Sequence, residues 1–96
     1  MNTNDNISAI HSFIYDGASI AIHHAQKGQG LAKHSHKYSH ATFCCAGSLY
    51  VRIEGKEILI DKTTQPINLK ANEWHELEAA EDGTVFVNVF AEGKGM

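Results

Sequence analysis

The sequence predicts an all-β domain, either a sandwich or a small barrel. Three observations support this prediction: short runs of strand-forming residues recur, turn signals separate them, and no segment has convincing helical periodicity. With 96 residues, of which 43% are hydrophobic and 20% charged, the chain is expected to form one domain spanning residues 1–96 with a modest core. Residues 1–12 and 92–96 are expected to be peripheral, the second segment as a frayed tail.

In the first half of the chain, apolar and β-branched residues predict strands at 19–25, 31–36 and 42–45. Gly28-Gln29-Gly30 separates the first two strands, and Ala46-Gly47 ends the third. Residues 5–11 are compatible with one helical turn or with an edge strand, and the pattern does not choose between them.

The centre of the chain predicts a β-hairpin. Apolar and polar residues alternate over 49–54, which is typical of a strand with one buried face. Glu54-Gly55-Lys56 then turns the chain, and residues 57–60 return it.

Three further strands are predicted towards the end of the chain. Pro66 begins the strand 66–69, where a missing backbone donor is tolerated. A turn at 71–73 leads to the strand 74–78, and a turn at Asp82-Gly83 leads to the last strand, 84–90. Both faces of this last strand are largely apolar, so Asn88 is predicted either to enter the interior or to face outward.

Charge and composition exclude several classes of partner. The formal net charge is −3 and no basic patch is interleaved with aromatic residues, so nucleic acid is not expected as a partner. No apolar run approaches membrane-spanning length, so membrane insertion is not expected. The N-terminus lacks the features of a secretory signal, which indicates the cytoplasm.

The two cysteines, Cys44 and Cys45, are adjacent. Neighbouring residues in a strand point to opposite faces, so these thiols are poorly placed to pair with each other, and a reducing compartment is indicated. Cys44 is interpreted either as a core residue or as part of the wall of a functional cavity.

Histidines form the pattern that points to chemistry. His34, His36 and His40 lie within seven residues, and His75 follows 35 positions later. Alternate residues of a strand share a face, so His34 and His36 can point inward from one strand, and His40 can join them after a bulge. Imidazole suits Fe, Zn, Cu and Ni, so the pattern predicts a mononuclear metal site. The alternative is a set of surface histidines in a polar loop.

The spacing also resembles the motifs of a known family. Gly30-x3-His34-x-His36-x3-His40-x6-Gly47 is similar to the first cupin motif, with His40 where a glutamate is usual, and residues 67–75 resemble the second motif. The resemblance implies a double-stranded β-helix, a jelly-roll barrel of two antiparallel sheets. It also implies one divalent transition metal (Fe, Mn, Ni, Zn or Cu) whose ligands are His34, His36, His40 and His75.

Such a site predicts a metal-dependent enzyme, dioxygenase-like or an isomerase, that acts on a small oxygenated anion bound to the metal. Two alternatives stay open: a module that binds carboxylates or sugar acids without turnover, and a barrel with a structural metal. His23 and Tyr38 are the candidate catalytic residues, although each could equally be a surface residue. The apolar faces of the strand 84–90 and of the hairpin predict a homodimer, in which the N-terminal segment could extend a partner's sheet.

Overall fold

The computed structural model describes residues 5–91 and arranges them in two five-stranded sheets. Sheet I has the strand order β1-β4-β9-β6-β7 and sheet II has the order β2-β3-β10-β5-β8. The strands are β1 (Asp5–Asn6), β2 (His11–Tyr15), β3 (Ala18–Ala25), β4 (Gln29–His34), β5 (His40–Ala46), β6 (Ser48–Ile53), β7 (Lys56–Asp61), β8 (Ile67–Leu69), β9 (His75–Ala79) and β10 (Thr84–Phe90). The predicted barrel of two antiparallel sheets is confirmed, although the two-residue strand β1 runs parallel to β4.

In the N-terminal region the edge-strand alternative holds in part, because β1 forms an edge of sheet I. Residues 5–11 contribute β1 and only the first residue of β2, and β2 forms the edge of sheet II beside β3. All five residues of β2 are exposed, so no alternation of buried and exposed positions marked this strand in the sequence. The predicted frayed tail, 92–96, lies outside the described residues. Within the described part of the chain, no helix is long and apolar enough to span a membrane.

The hairpin of β6 and β7 forms as predicted and supplies much of the core. Leu49 and Val51 are fully buried, and Leu49 pairs with the buried Ile60 of β7. Leu77 of β9 pairs with Val51, so the inward positions of three strands meet in one apolar cluster. Each such side chain contributes about 1.5–3 kcal/mol when fully buried.

The facing of β10 is now settled. Phe86 and Asn88 are buried between the sheets, and Phe90 shares this inward face. Val87 lies on the opposite face, where it pairs with Ile22 of β3 and with a residue of β5. Asn88 therefore belongs to the interior, which the sequence alone left open.

Two strand boundaries near the histidines correct the prediction. β4 ends at His34, so His36 does not share a strand with it, and β5 begins at His40 rather than at residue 42. The cause lies in the topology: β4 belongs to sheet I and β5 to sheet II, so residues 35–39 must cross between the sheets. A crossing segment cannot continue the hydrogen-bonded ladder of either sheet.

Two glycines of the motif have steric reasons to be glycine. A Cβ at Gly30 would overlap the backbone carbonyl of Leu77 on the neighbouring strand β9. Gly47 has a φ of +70°, a left-handed conformation that glycine adopts readily, and it lies directly against Thr84. The Thr84 hydroxyl in turn accepts a hydrogen bond from the backbone N–H of Ser48 at 3.3 Å.

Candidate metal centre

The four histidines predicted as ligands converge where the two sheets meet. His34 is the last residue of β4 and pairs with His75, the first residue of β9, so these two come from sheet I. His40 is the first residue of β5 in sheet II, and His36 lies on the segment that connects the sheets. The backbone N–H of Asn72 donates to the carbonyl of His36 at 2.7 Å, which joins this segment to the turn before β9.

The ring nitrogens lie close enough to share an ion. One nitrogen from each of His34, His36 and His75 lies within 4.8 Å of the others. His40 is outside that group of three, but its Nε2 lies 3.4 Å from Nε2 of His75. Two nitrogens that each bind one ion at about 2.0–2.1 Å can be at most about 4.2 Å apart, and three around one ion lie closer together still, so the most distant rings must move by at least about half an ångström to share an ion.

Hydrogen bonds on the far side of three rings select the nitrogen that faces the centre. The Nδ1 atoms donate to nearby backbone carbonyls, which can only accept: His34 to Ala32 at 2.6 Å, His36 to Tyr38 at 2.9 Å and His75 to Glu73 at 3.3 Å. A proton on Nδ1 leaves the lone pair on Nε2. Each ring is therefore held in the tautomer that a metal ligand needs.

His40 obtains the same tautomer from two side chains: Thr42, which the sequence did not single out, and Asn88, whose facing the sequence left open. The hydroxyl of Thr42 donates its only proton to Oδ1 of Asn88 at 2.6 Å. It must therefore accept from Nδ1 of His40, which lies 3.1 Å away. Thr42 is fully buried, and Asn88 lies opposite it on β10. The one signal in the sequence was the spacing of Thr42, two residues after His40 and so on the same face of a strand.

The two buried rings are held neutral. Burial, together with smaller effects of the nearby His75 and His36 rings, lowers the pKa of His40 to about 3. Burial also lowers the pKa of His75 to about 4, with added effects of His34 and His36. Because a metal competes with protons for imidazole nitrogen, rings that are already neutral near pH 7 are ready to bind.

These pKa values predict a pH dependence of stability in the metal-free protein. Both folded-state values lie below the ordinary 6.5, so the unfolded chain binds more protons as the pH falls below 6.5. The stabilisation is thus fully present above pH 6.5 and is lost progressively towards pH 4 and 3. Between pH 7 and pH 5 we expect the free energy of unfolding to fall by on the order of 2 kcal/mol or more, at about 1.4 kcal/mol per pKa unit.

Urea unfolding of chelator-treated protein at these two pH values measures this loss, in a range where most carboxylates stay ionised. His24 is exposed, so the His24→Asn variant should keep the same pH dependence. Equal stability at pH 7 and pH 5 would contradict the assignment of neutral buried rings.

Of the two candidate catalytic residues, Tyr38 contacts a ring of the histidine cluster and His23 contacts Phe86 of β10. His23 faces inward, is 6% exposed and stacks on Phe86 with a centroid distance of 4.7 Å, whereas the adjacent His24 faces out. Burial lowers the pKa of His23. Tyr38 is half-buried and stacks on the His36 ring at 4.8 Å.

The alternative that Cys44 belongs to a cavity wall is wrong. Cys44 is buried within the apolar cluster, and its thiol donates to the carbonyl of Ala46 at 3.1 Å. Burial also raises the pKa of this thiol, which keeps it protonated. The bulge in the pairing of β5 with β10, between Val85 and Phe86, lies beside Cys44. Cys45 is exposed, as expected for the next residue of a strand.

A cavity of about 300 Å³ adjoins the cluster. Polar side chains from both sheets share its wall with a few apolar ones. The lining residues are Ala9, Ser12, Ser19, Ala21, His23, Leu31, His34, His36, Tyr38, His40, Asn88 and Phe90. This volume is at the lower end of the range for small-molecule sites.

The donor set fits a divalent transition metal. The group consists of imidazoles only, the nitrogens facing the centre are those that carry lone pairs, and two of the rings are held neutral by burial. When bound, such an ion would polarise an oxygen ligand and lower the pKa of bound water. His34, His36, His40 and His75 are the residues that would hold it, and the adjoining cavity leaves room for a ligand beside them.

Comparisons with known proteins establish the fold. No family model matches the sequence, and no curated protein matches it either. Among solved structures, a cupin protein from Bacteroides fragilis superposes with a TM-score of 0.69 and 21% identity over 85% of this chain and 71% of that one. A conserved protein with a double-stranded β-helix domain from Klebsiella pneumoniae superposes with a TM-score of 0.72 and 20% identity, over 91% of this chain and 75% of that one. A candidate mannose-6-phosphate isomerase from Ralstonia eutropha superposes with a TM-score of 0.69 and 14% identity, over 90% of this chain and 82% of that one.

At these identities the likeness concerns the fold. The chain has the cupin fold, the double-stranded β-helix that its motif spacing implied.

Proposed function

We propose that this protein is a mononuclear metal-dependent enzyme, dioxygenase-like or an isomerase, that acts on a small oxygenated anion. The observation that carries the proposal is the shared wall of the cavity: His34, His36 and His40 line the same space as the candidate catalytic residues His23 and Tyr38. A ligand in that space would lie between the metal-binding histidines and His23, with Tyr38 beside His36. A metal that served structure alone would need no such space beside it.

The neutral ligand set favours an anion as the substrate. Four imidazoles bring no negative charge to a divalent ion, so charge neutralisation falls to whatever binds next to it. A carboxylate or an enolate with a second oxygen nearby meets this requirement. A solved structure of this fold, from Ralstonia eutropha, is a candidate mannose-6-phosphate isomerase, and a phosphorylated sugar is another small oxygenated anion.

The residues of this chain have distinct tasks in the proposed reaction. His23 is neutral at pH 7 because burial lowers its pKa, so its ring can accept or donate a proton inside the cavity. The stacking of Tyr38 on His36 holds the phenol at the cavity wall, where its hydroxyl can orient a substrate oxygen. Half-buried, Tyr38 also shields the cluster from water.

A second candidate function is ligand binding without turnover. No carboxylate or lysine is among the residues that line the cavity, so proton transfer there would depend on His23 and Tyr38 alone. A binding module that uses the metal to hold a carboxylate or a sugar acid would need neither residue as an acid or base.

Metal loading followed by substrate tests distinguishes the two functions. Protein purified without nickel resin and treated with a chelator is loaded with Fe²⁺, Mn²⁺, Ni²⁺, Zn²⁺ or Cu²⁺, and calorimetry measures the stoichiometry. We expect one ion per chain. Oxygen uptake and product formation are then followed with diketones, aromatic diols and sugar acids. Turnover supports the enzyme, saturable binding without product supports the module, and failure of every ion to bind would remove both.

We also propose that the protein acts as a homodimer through the outer face of sheet II. Outward positions of β2, β3, β5 and β10 include no Asp, Glu, Lys or Arg, and the apolar ones are Phe13, Tyr15, Ile20, Ile22, Phe43, Val85, Val87 and Val89. Two copies with a net charge of −3 each would repel unless they met on an uncharged face. A two-fold contact between two such faces juxtaposes no like charges, so a second copy is the occupant that this face suits.

An engineered charge tests the dimer. Ile22 lies at the centre of this face, opposite Val87, so the Ile22→Glu variant should shift the protein from dimer to monomer in sedimentation or light-scattering measurements. Leu59 is 57% exposed on the outer side of sheet I, so Leu59→Glu is the matched control and should stay dimeric. A wild-type protein that is monomeric at high concentration would contradict the proposal.

The free thiols of Cys44 and Cys45 agree with the cytoplasm as the proposed location.

A further inference from the structure

The N-terminal segment joins the two sheets. Asn6, the last residue of β1, pairs in parallel with β4, and the N–H of Ile7 donates to the carbonyl of Gly30 at 3.1 Å. The chain then leaves sheet I, and the N–H of Ile10 donates to a carbonyl of β3 in sheet II at 2.8 Å. Residues 7–10, here called the N-terminal bridge, therefore connect the strand that ends at the metal centre with the opposite sheet.

The departure of the chain after Asn6 takes a hydrogen-bond acceptor away from β4. Alternate residues of a strand direct their N–H and C=O groups to the same side, so Ala32 faces the β1 side as Gly30 does. Level with Ala32 the parallel register would call for residue 8, which already lies between β1 and β2. Instead, Oδ1 of Asn6 accepts from the N–H of Ala32 at 2.6 Å. The side-chain amide of Asn6 thus replaces the carbonyl of a continuing strand.

Ala32 is also the residue that orients a candidate metal ligand. Its carbonyl accepts from Nδ1 of His34 at 2.6 Å, the contact that leaves the lone pair on Nε2. The pairing of β4 with β9 is irregular between Leu31 and His34, so the regular ladder with β9 does not define this stretch of backbone. Backbone outside a regular ladder needs another contact to keep its carbonyl in place, and Asn6 supplies one.

We propose that Asn6 is a positioning residue for His34, and that docking of the N-terminal bridge is thereby coupled to metal binding. The inference rests on the proposed metal site and adds to it a residue outside the four candidate ligands. Ala9 of the bridge lines the cavity, so the segment that follows Asn6 also closes part of the site. Coupling is reciprocal, so an ion should strengthen docking of the bridge by the same factor by which docking strengthens ion binding.

Metal affinity measures the contribution of Asn6. Asn6→Ala removes the acceptor, and the affinity of chelator-treated protein for Zn²⁺ should fall about tenfold, the lower end of the roughly 10–100-fold effect of residues that contact a ligand directly. Asn6→Asp keeps an acceptor oxygen and should match or exceed the parent. Ser8→Ala, at an exposed position of the bridge, is the control and should change nothing. An unchanged affinity in Asn6→Ala, or an equal loss in Asn6→Asp, would overturn the proposal.

Nitrogen NMR of the rings separates positioning from a general loosening of the fold. Spectra are recorded on metal-free protein at about pH 8, where an imidazole of ordinary pKa is neutral. The His34 ring should carry its proton on Nδ1 in the parent and show both tautomers in Asn6→Ala. His75, whose Nδ1 donates to the carbonyl of Glu73, is the internal reference and should keep its tautomer in both proteins. An unchanged His34, or equal changes in both rings, would contradict positioning through Ala32.

Amide hydrogen exchange tests the reciprocal effect. The N–H of Ile7 donates to β4 directly beside Asn6, so its exchange reports docking of the bridge. Saturating Zn²⁺ should slow this exchange about tenfold in the parent, the same factor as for affinity, and much less in Asn6→Ala. Equal exchange rates with and without Zn²⁺ in the parent would contradict the coupling.

Failure of the positioning role and failure of the metal site give different results. If the parent binds no ion, the proposed function falls, and the His34 tautomer alone decides the role of Asn6 because it is measured without metal. If the parent binds one ion and Asn6→Ala binds it equally well, the role of Asn6 falls and the metal site stands.

Discussion

Replacing His75 with alanine is expected to abolish stoichiometric metal binding. His75 is 1% exposed, lies 3.4 Å from His40 through their Nε2 atoms, and belongs to the group of three rings whose nitrogens lie within 4.8 Å. Its loss removes one of the four candidate ligands. It also removes the ring that lies next to His34 in sheet I and next to His40 in sheet II. We expect an affinity loss well above the roughly 10–100-fold that residues supporting a ligand contribute. Calorimetric titration of the chelator-treated variant with Zn²⁺ measures it.

Two matched variants make this result specific. Thr42→Val keeps the shape of the side chain but removes the hydroxyl that accepts from His40, so metal affinity should fall by about 10–100-fold while binding remains detectable. His24→Ala removes an exposed histidine and should leave affinity unchanged. Metal affinity of His75→Ala within a factor of ten of the parent would rule out His75 as a ligand.

Replacing Gly30 with alanine is expected to cause a large loss of stability. The new Cβ would overlap the backbone carbonyl of Leu77, and a backbone atom in a paired strand cannot rotate away as a side chain can. Overpacking of side chains costs about 1–3 kcal/mol, and a clash with backbone should be at or above the top of that range. The midpoint of urea unfolding, followed by circular dichroism, measures the loss.

Gly55 supplies the control for Gly30. It has a φ of +74° in the turn between β6 and β7, and a Cβ there would meet no atom within 4 Å. Gly55→Ala should therefore cost only the left-handed conformation, about 1–2 kcal/mol. A Gly30→Ala variant that is as stable as Gly55→Ala would show that β4 and β9 can separate to accept a side chain.

Strands with one buried face were predictable from the sequence, and strands without one were not. Alternation over 49–54 identified the hairpin because Leu49 and Val51 are buried and their neighbours are not. β2 has five exposed residues and so leaves no such pattern. The sequence showed that β10 is a strand but not which face points inward, since Val87 on the outer face is as buried as Phe90 on the inner face.

The histidines could be grouped from spacing, but their supports could not. Three imidazoles within seven residues are rare enough to stand out, whereas Thr42 and Asn88 are ordinary residues of strands. Their importance depends on the register of β3 and β5 against β10, a long-range property that places Thr42 and Ala21 on either side of Asn88. The prediction that His36 shares a strand with His34 was also wrong, because nothing in the local sequence signals that the chain changes sheets after His34.

The division of the histidines between the sheets has a mechanical consequence. His34 and His75 belong to sheet I and His40 belongs to sheet II, so an ion shared among them would cross-link the two sheets of the barrel. Ion binding then becomes folding free energy: at a free ion concentration one hundred times the Kd, the folded state gains about 2.7 kcal/mol. For so small a domain, the concentration of free metal would then bear on the fraction of the protein that stays folded.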